Sequence, residues 1–201
     1  SIGTPQLLLM SKSGLFPQGL ANGSGQVGRN LTFHHHPSVM GVFDEDLRTY
    51  TGLESHGAFD DLHASDPKRG FIRGGVVAEL NTFTHQPIAY AAVLANDLSF
   101  GSKWGAGLKD RIRAFPRTLS LALIGEELPM EQSGVDLDPE VTDRFGLPVP
   151  RVTKKQHAND LAMFDWYEKK LLEVAEASGA KHIQPGRNAE VHITETQAQK
   201  G

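Results

Sequence analysis

Apolar residues recur at every second position in several short segments of this chain, a period typical of β-strands. Residues 39–43 and 117–124 predict strands buried within a sheet, and residues 76–80 predict a half-buried strand that follows the double glycine Gly74–Gly75. Further strands are predicted at residues 134–138 and 149–153, with a connection between them that is too long for a tight hairpin. The chain therefore contains a sheet made of short, separated strands.

A helical period appears in two segments. In residues 101–115, Trp104, Leu108, Ile112 and Phe115 fall three or four positions apart, with most of the charged residues on the other side. Residues 161–175 carry a longer apolar stripe, and Gly179 follows as a C-terminal stop. Because helices are few and late rather than alternating with strands, the pattern predicts an α+β fold: a mostly antiparallel sheet covered on one face by helices.

The first residues predict a short buried helix and then a loop. Thr4 and Pro5 form a helix start, and residues 7–10 are apolar on all sides. A buried helix so close to the first residue, and a polar, aperiodic end at residues 195–201, are interpreted as the cut ends of a longer protein. Residues 23–28 match G-x-G-x-x-G, but no buried strand precedes them and Pro37 follows closely, so they predict a turn-rich loop rather than a phosphate cradle.

Composition excludes several classes of function. The chain has 201 residues, a net charge of −4 and no long Lys/Arg run, which argues against nucleic acid as a partner. The longest apolar run, residues 88–95, is far too short to cross a membrane, so no transmembrane segment is predicted. The absence of cysteine excludes disulfides, thiolate metal sites and cysteine nucleophiles.

The titratable residues do not by themselves predict a reaction. Three of the nine histidines are consecutive, at His34, His35 and His36. Adjacent residues of a strand point to opposite faces, so these imidazoles are not expected to converge on a metal ion; hydrogen bonds to backbone carbonyls are the alternative. Asp136 and Asp138 are predicted to lie on a solvated strand face rather than to form a catalytic pair.

Two motifs resemble the glucose–methanol–choline (GMC) family of FAD-dependent oxidoreductases. The first is GTPQLLL at residue 3 with GLAN at residue 19 and VGRNL at residue 27, which is similar to the family's second signature region. The second is ELP at residue 127 with VDL at residue 135 and DRFGLPVP at residue 143, which is similar to the substrate domain of the pyranose 2-oxidase and gluconate-dehydrogenase-like branch.

The resemblance implies a domain division and a reaction. Residues 1–36 would be the C-terminal remnant of an FAD-binding domain, and residues 37–201 would be a substrate-binding domain with about six antiparallel strands. The parent protein would oxidise an alcohol group of a sugar or other polyol by hydride transfer to FAD. The family's H-x-x-G-T motif is absent, so the resemblance assigns no catalytic residue here. The chain alone is expected to be inactive and to carry no bound FAD.

The resemblance also implies candidate site residues. Gly3, Thr4, Pro5 and Asn30 fall in the signature region and are expected at the cofactor. Candidates for the substrate-facing surface are His34, at the domain junction, and the aromatic residues Phe83, Phe100 and Trp104, for which core packing is the alternative.

A second hypothesis is a stand-alone module of the same architecture that binds a small ligand or a protein on its open sheet face. The two hypotheses differ in the expected surface. A fragment separated from its FAD-domain segments should expose a large apolar patch and form a homo-oligomer, whereas a module should be a monomer with a polar surface.

Overall fold

The computed structural model describes residues 2–34, 37–53, 55–80, 86–96 and 103–186. Helices and strands alternate irregularly along these residues. The helices are α1 (Gly3–Met10), α2 (Pro87–Asn96), α3 (Gly105–Arg113) and α4 (Ala158–Ala177). The strands are β1 (Ser38–Val42), β2 (Ala58–Phe59), β3 (Gly75–Glu79), β4 (Thr118–Gly125), β5 (Gly134–Thr142), β6 (Pro148–Thr153) and β7 (His182–Gly186).

The strands form two antiparallel sheets. Five strands pair in the order β2-β3-β4-β1-β7, and β5 pairs with β6 in a separate hairpin. The predicted α+β class with a mostly antiparallel sheet is therefore confirmed. The strand predicted at residues 117–124 is β4. It lies at the centre of the five-stranded sheet, and its alternating apolar residues are buried from two sides.

The chain divides into two compact units. The first is formed by residues within Ser1–Phe33 and Glu127–Ala158, and it contains α1 and the β5–β6 hairpin. The second is formed by residues within His34–Glu126 and Asn159–Val191, and it contains the five-stranded sheet with α2, α3 and α4. The second unit is thus interrupted in sequence by the hairpin of the first.

The core of the second unit lies between the sheet and α4. Val39, Val77 and Leu123 project from three neighbouring strands against one side of α4. The α4 residues buried there are Met163, Tyr167, Leu171 and Ala175. The buried stripe therefore differs from the predicted one. The predicted stripe began at Leu161, which is exposed, whereas the observed stripe begins at the polar residue Asp160, which is buried.

Two helices lie on the other face of the same sheet. Tyr90 and Leu94 of α2 pack with Leu108 and Ile112 of α3 and with Met40 of β1, whose side chain points away from α4. Helices therefore lie on both faces rather than on one. The sequence pattern did not predict α2, because its residues are almost uniformly apolar and show no polar face to set a helical period.

The prediction of a buried N-terminal helix is wrong. The chain is already helical at Gly3, so Thr4 lies inside the first turn and Ile2 occupies the cap position without a side-chain hydrogen bond. No residue of α1 is buried, and Leu7 is 62% exposed. The apolar residues of α1 are spread around all its sides, but only one side packs on the β5–β6 hairpin. On that side, Gln6 Nε2 donates to Pro148 O at 2.9 Å.

The prediction of a long connection between β5 and β6 is also wrong. Thr142 already pairs with Pro148, and residues 143–147 form a tight turn. The Asp143 carboxylate accepts hydrogen bonds from Phe145 N and Leu147 N at 2.8 and 3.0 Å. An aspartate side chain that binds the backbone beyond it stabilises a turn that hydrophobic periodicity does not show.

Candidate functional site

The first unit brings together the two parts of the predicted cofactor-binding segment. Gly3, Thr4 and Pro5 form the first turn of α1. The Pro5 side chain lies 3.5 Å from the position that a Cβ on Gly28 would take, two residues before Asn30. Asn30 has a left-handed backbone, with φ of 57°, and its side-chain amide donates to Gln26 Oε1 at 3.4 Å.

The glycine-rich loop is a set of turns, as the sequence predicted. Gly28 has a φ of +79°, and a Cβ there would lie 2.0 Å from the carbonyl oxygen of Val135. Val135 N donates to Gly28 O at 2.7 Å, so the loop lies directly against β5. Glycine is required at position 28 by this close approach rather than by a phosphate.

The first turn of α1 has open space beside Gly3. Apart from its chain neighbours and the backbone of its own helix, nothing lies within 4 Å of the position that a Cβ on Gly3 would take. The first N–H groups of a helix have no partner within the helix and carry a partial positive charge. The turn contains no acidic residue to oppose an anion. These features fit one polar edge of a cofactor that carries phosphate groups.

Two of the predicted substrate-facing residues, His34 and Trp104, lie within the described structure. His34 Nδ1 lies 3.3 Å from the carbonyl oxygen of Gly125. Trp104 precedes α3 and is 81% exposed, so it is not a core residue. Phe83 and Phe100 lie outside the described residues, as do His35 and His36.

The aspartates of β5 each have a separate role in the hairpin. Asp136 accepts two hydrogen bonds from the Arg151 guanidinium, at 2.8 and 2.6 Å. Asp138 Oδ1 accepts from the N–H groups of Glu140 and Val141, and these two hydrogen bonds lower the pKa of its carboxyl. A general acid would need a raised pKa, whereas the pKa of the Asp138 carboxyl is lowered and Asp136 is paired with Arg151.

A cavity of about 450 Å³ lies within the second unit, on the sheet face opposite α4. Its floor is formed by cross-strand neighbours of β1, β4 and β7, and its walls by α2 and α3. The floor residues are Met40, Val42, Thr118, His182 and Gln184. Pockets of this volume, mainly apolar with a few fixed polar groups, are typical of small-ligand sites.

A pair of hydroxyl groups, those of Tyr90 and Thr118, lies among the lining residues of the cavity. Thr118 Oγ1 donates to Ala114 O at 2.9 Å and lies 3.3 Å from Tyr90 Oη, so Tyr90 donates to Thr118. Burial raises the pKa of the Tyr90 phenol, while the Thr118 hydrogen bond and the charge of Arg111 act in the opposite direction. The phenol is therefore neutral at neutral pH.

Charged residues of both signs line the same cavity. Arg111 lines the cavity and its Nη2 atom is buried. Asp110 accepts from Arg113 Nη1 at 2.8 Å, and Asp44 lies 3.9 Å from Lys181 Nζ. The periodicity of α3 placed Arg111 on its charged side. Arg111 comes three residues after Leu108 and directly before Ile112, and this spacing indicates that it borders the buried side of α3.

Neither a metal site nor a membrane span is found in the part of the chain that the structure describes. Within it, no group of three histidine, aspartate or glutamate side chains could hold a metal ion. None of its helices combines the length and the apolar character that spanning a membrane requires.

Comparison with known proteins gives two relatives. No protein-family model matches the chain. It is 33% identical over 186 residues, 89% of this chain, to a 2-methyl-1,2-propanediol dehydrogenase from Mycolicibacterium austroafricanum. It is 26% identical over 183 residues, 88% of this chain, to a gluconate 2-dehydrogenase flavoprotein from Pantoea cypripedii.

The chain is similar to two dehydrogenases, one of them a flavoprotein. It spans about a third of the length of each, 32% of the first and 29% of the second. The similarity therefore extends through most of this chain but through a minor part of each relative.

Proposed function

We propose that this chain is the substrate-domain portion of an FAD-dependent oxidoreductase of the GMC family, which oxidises an alcohol group of a sugar or another polyol. The observation that carries the proposal is the 33% identity to a diol dehydrogenase along 89% of the chain. The second relative, a dehydrogenase named as a flavoprotein, supports a flavin as the electron acceptor. The antiparallel sheet agrees with the substrate domain that the sequence motifs imply.

The proposed domain boundary lies near residue 36. Residues 1–36 would be the end of the FAD domain, and residues 37–201 would belong to the substrate domain. The boundary between the two compact units, at Phe33 and His34, supports this division. Residues 127–158 belong to the first unit, so the β5–β6 hairpin would extend from the substrate domain to pack on the FAD-domain remnant.

The residues of this chain would bind and orient rather than transfer protons. The first turn of α1, with Gly3, Thr4 and Pro5, and the neighbouring Asn30 would hold part of FAD. When bound, FAD would accept the hydride from the alcohol carbon. His34 and Trp104, together with Phe83 and Phe100, stay as predicted contacts of the substrate. No histidine of this chain is proposed as the base.

The test uses the protein produced from the whole gene, beside the 201-residue chain. We expect the whole protein to show flavin absorbance that bleaches when a diol or sugar is added without oxygen, and the chain alone to show none. A longer protein without flavin, or turnover by the chain alone, would contradict the proposal. Flavin absent from a protein that still binds a small ligand would favour a binding module.

A matched pair of variants tests the cofactor contact. Gly3 and Gly23 both have open space where a Cβ would lie, so valine fits at either position. Gly3→Val should lower the flavin content of the whole protein, because the new side chain covers the backbone of the first helical turn. Gly23→Val should leave the flavin content unchanged. Equal flavin content in the two variants would remove Gly3 from the site.

A further inference from the structure

The floor of the cavity has a polar strip on β7 beside an apolar strip on β1. Ile183 packs against the core that contains α4, so its neighbours His182 and Gln184 project to the opposite face of the sheet, where both line the cavity. On the neighbouring strand β1, Val42 pairs with His182. Met40 of the same strand pairs with Gln184, and both apolar side chains line the cavity as well.

The strand pairing determines the dimensions of this floor. Side chains directly opposite each other on paired strands lie about 5 Å apart, so each polar group of β7 has an apolar neighbour on β1 at that distance. His182 and Gln184 are two residues apart on one strand, which separates them by about 7 Å. A polyol with a chain of about four carbons spans that distance when each of its ends makes one hydrogen bond.

The two polar side chains of β7 are available to a ligand. His182 and Gln184 are both exposed, and within the described part of the chain neither side chain makes a hydrogen bond or an ion pair. The amide of Gln184 has both donors and an acceptor, and a neutral imidazole has one nitrogen of each kind. Both groups can therefore donate to a ligand oxygen and accept from a ligand hydroxyl.

A neutral polyol suits this floor better than an acid or a simple alcohol does. A hydroxyl group both donates and accepts, whereas a carboxylate only accepts and would leave the amide oxygen of Gln184 without a donor. The carbon atoms of a polyol would cover Met40 and Val42. An alcohol with one hydroxyl would cover them too, but it would leave one of the two polar side chains without a partner.

We propose that this cavity binds a small uncharged polyol, whose hydroxyl groups form hydrogen bonds with His182 and Gln184. The carbon chain of the polyol lies against Met40 and Val42. This site goes beyond the proposed function, which assigns no residue of the cavity to a ligand. Binding there needs no flavin, so the two proposals fail separately: one by the absence of flavin from the whole protein, the other by the absence of polyol binding to the chain.

The experiment is an NMR titration of the 201-residue chain with three four-carbon probes: erythritol, 1-butanol and erythronate. Erythritol should shift the Met40 methyl signal and the side-chain amide signals of Gln184 in a saturable way. 1-Butanol should shift the Met40 signal without saturating the amide signals, and erythronate should bind several-fold more weakly than erythritol.

Three results of this titration would overturn the proposal. The first is the absence of a saturable shift of the Gln184 amide with erythritol. The second is an equal response to erythritol and 1-butanol at both signals, which would mean that the cavity binds apolar surface alone. The third is tighter binding of erythronate than of erythritol, which would mean that the ligand is an anion.

Two glutamine variants locate the amide contact. Gln184→Leu keeps the length of the side chain but removes its polar atoms, and it should weaken erythritol binding several-fold. Gln156→Leu makes the same change at an exposed position outside the lining and should leave binding unchanged. Equal weakening by both variants would contradict the assignment. If circular dichroism shows that Gln184→Leu does not fold, Gln184→Glu, which keeps an acceptor but has no amide donor, should also weaken binding.

His182→Phe tests the imidazole contact. The ring stays but both nitrogens are removed, so erythritol binding should weaken several-fold, while the shift that 1-butanol causes at Met40 should stay nearly unchanged. Loss of the same size for both probes would mean that His182 acts on the shape of the cavity and not on a ligand hydroxyl, and would overturn this contact.

Discussion

Gly25 and Gly28 stand in one motif but under different constraints. Both have a left-handed backbone, with φ of +69° and +79°. At Gly25 nothing lies within 4 Å of a Cβ, whereas at Gly28 a Cβ would overlap the carbonyl of Val135. The sequence of this motif therefore matches a phosphate-binding fingerprint. Glycine is needed at position 28, however, because a strand of the same unit lies against it.

This difference predicts the stability of two alanine variants. Gly25→Ala should cost about 1 kcal/mol, the strain of a left-handed alanine. Gly28→Ala carries the same strain and should cost roughly 1–3 kcal/mol more, because the methyl group must displace the backbone of β5. Urea unfolding followed by far-UV circular dichroism measures both. Equal losses would show that loop and strand do not lie in contact.

At the scale of elements, the sequence predicted those that are long enough to show a period. β4 has eight residues, and α4 has a buried stripe because one side packs on the sheet. β2 was not predicted, since two residues are too few to show a period. The turn after β5 was missed because it depends on one aspartate side chain.

The candidate site was less predictable than the elements. The signature segment is local, so its residues could be named from sequence, and the structure places Pro5 beside Gly28. The cavity, in contrast, is assembled from residues as far apart as Met40 and Gln184, which only the pairing of β1 with β7 brings together. No pattern within a short window carries that information.

Tyr167 connects α4 to the loop before β3 and makes a pH-dependent contribution. Its hydroxyl donates to Leu62 O at 2.7 Å, and burial raises the pKa of the phenol, with the Gly75 N–H and the Arg69 charge opposing. A raised folded-state pKa means that the folded chain keeps a proton that the unfolded chain has lost. The contribution is therefore complete below pH of about 10 and is lost as the pH rises further.

Tyr167→Phe should lower the free energy of unfolding by about 1 kcal/mol at neutral pH, because it removes the hydroxyl that binds Leu62 O. Above pH of about 10 the stability of the variant should fall less steeply than that of the unchanged chain. Tyr50→Phe, at a position that is 39% exposed, is the control at neutral pH, where it should lower the free energy of unfolding less than Tyr167→Phe does. Parallel curves for Tyr167→Phe and the unchanged chain would contradict the burial of this hydroxyl.

At the scale of the whole molecule, the first unit is assembled from two segments that are distant in sequence. Leu31 N donates to Ser133 O at 3.0 Å, and Arg29 pairs with Gly134. Glu127 supplies a further connection, because its carboxylate accepts from Phe33 N at 2.6 Å and lies 2.7 Å from Lys154 Nζ. One acidic side chain thus joins the end of the first segment to both ends of the second.

The Glu127–Lys154 pair is expected to determine the stability of the first unit. Its side chains are only 3% and 12% exposed, so Lys154→Met removes the nearest cation from a shielded carboxylate and should cost about 3 kcal/mol. Arg151→Met breaks a pair that is about half exposed and should cost less than about 1 kcal/mol. Hydrogen exchange at the Leu31 and Val135 amides, which bond across the two segments, measures the opening free energy directly.

A second substitution separates the charge from the packing. Glu127→Gln keeps an acceptor for Phe33 N but removes the charge that Lys154 neutralises. Combined with Lys154→Met, it should cost less than Lys154→Met alone, because the carboxylate charge that faces the lysine is then removed with it. The amides of Leu31 and Val135 should regain protection in the double variant. A double variant as exposed to exchange as Lys154→Met would show that the lysine contributes through packing, and that the two segments are held together mainly by their backbone hydrogen bonds.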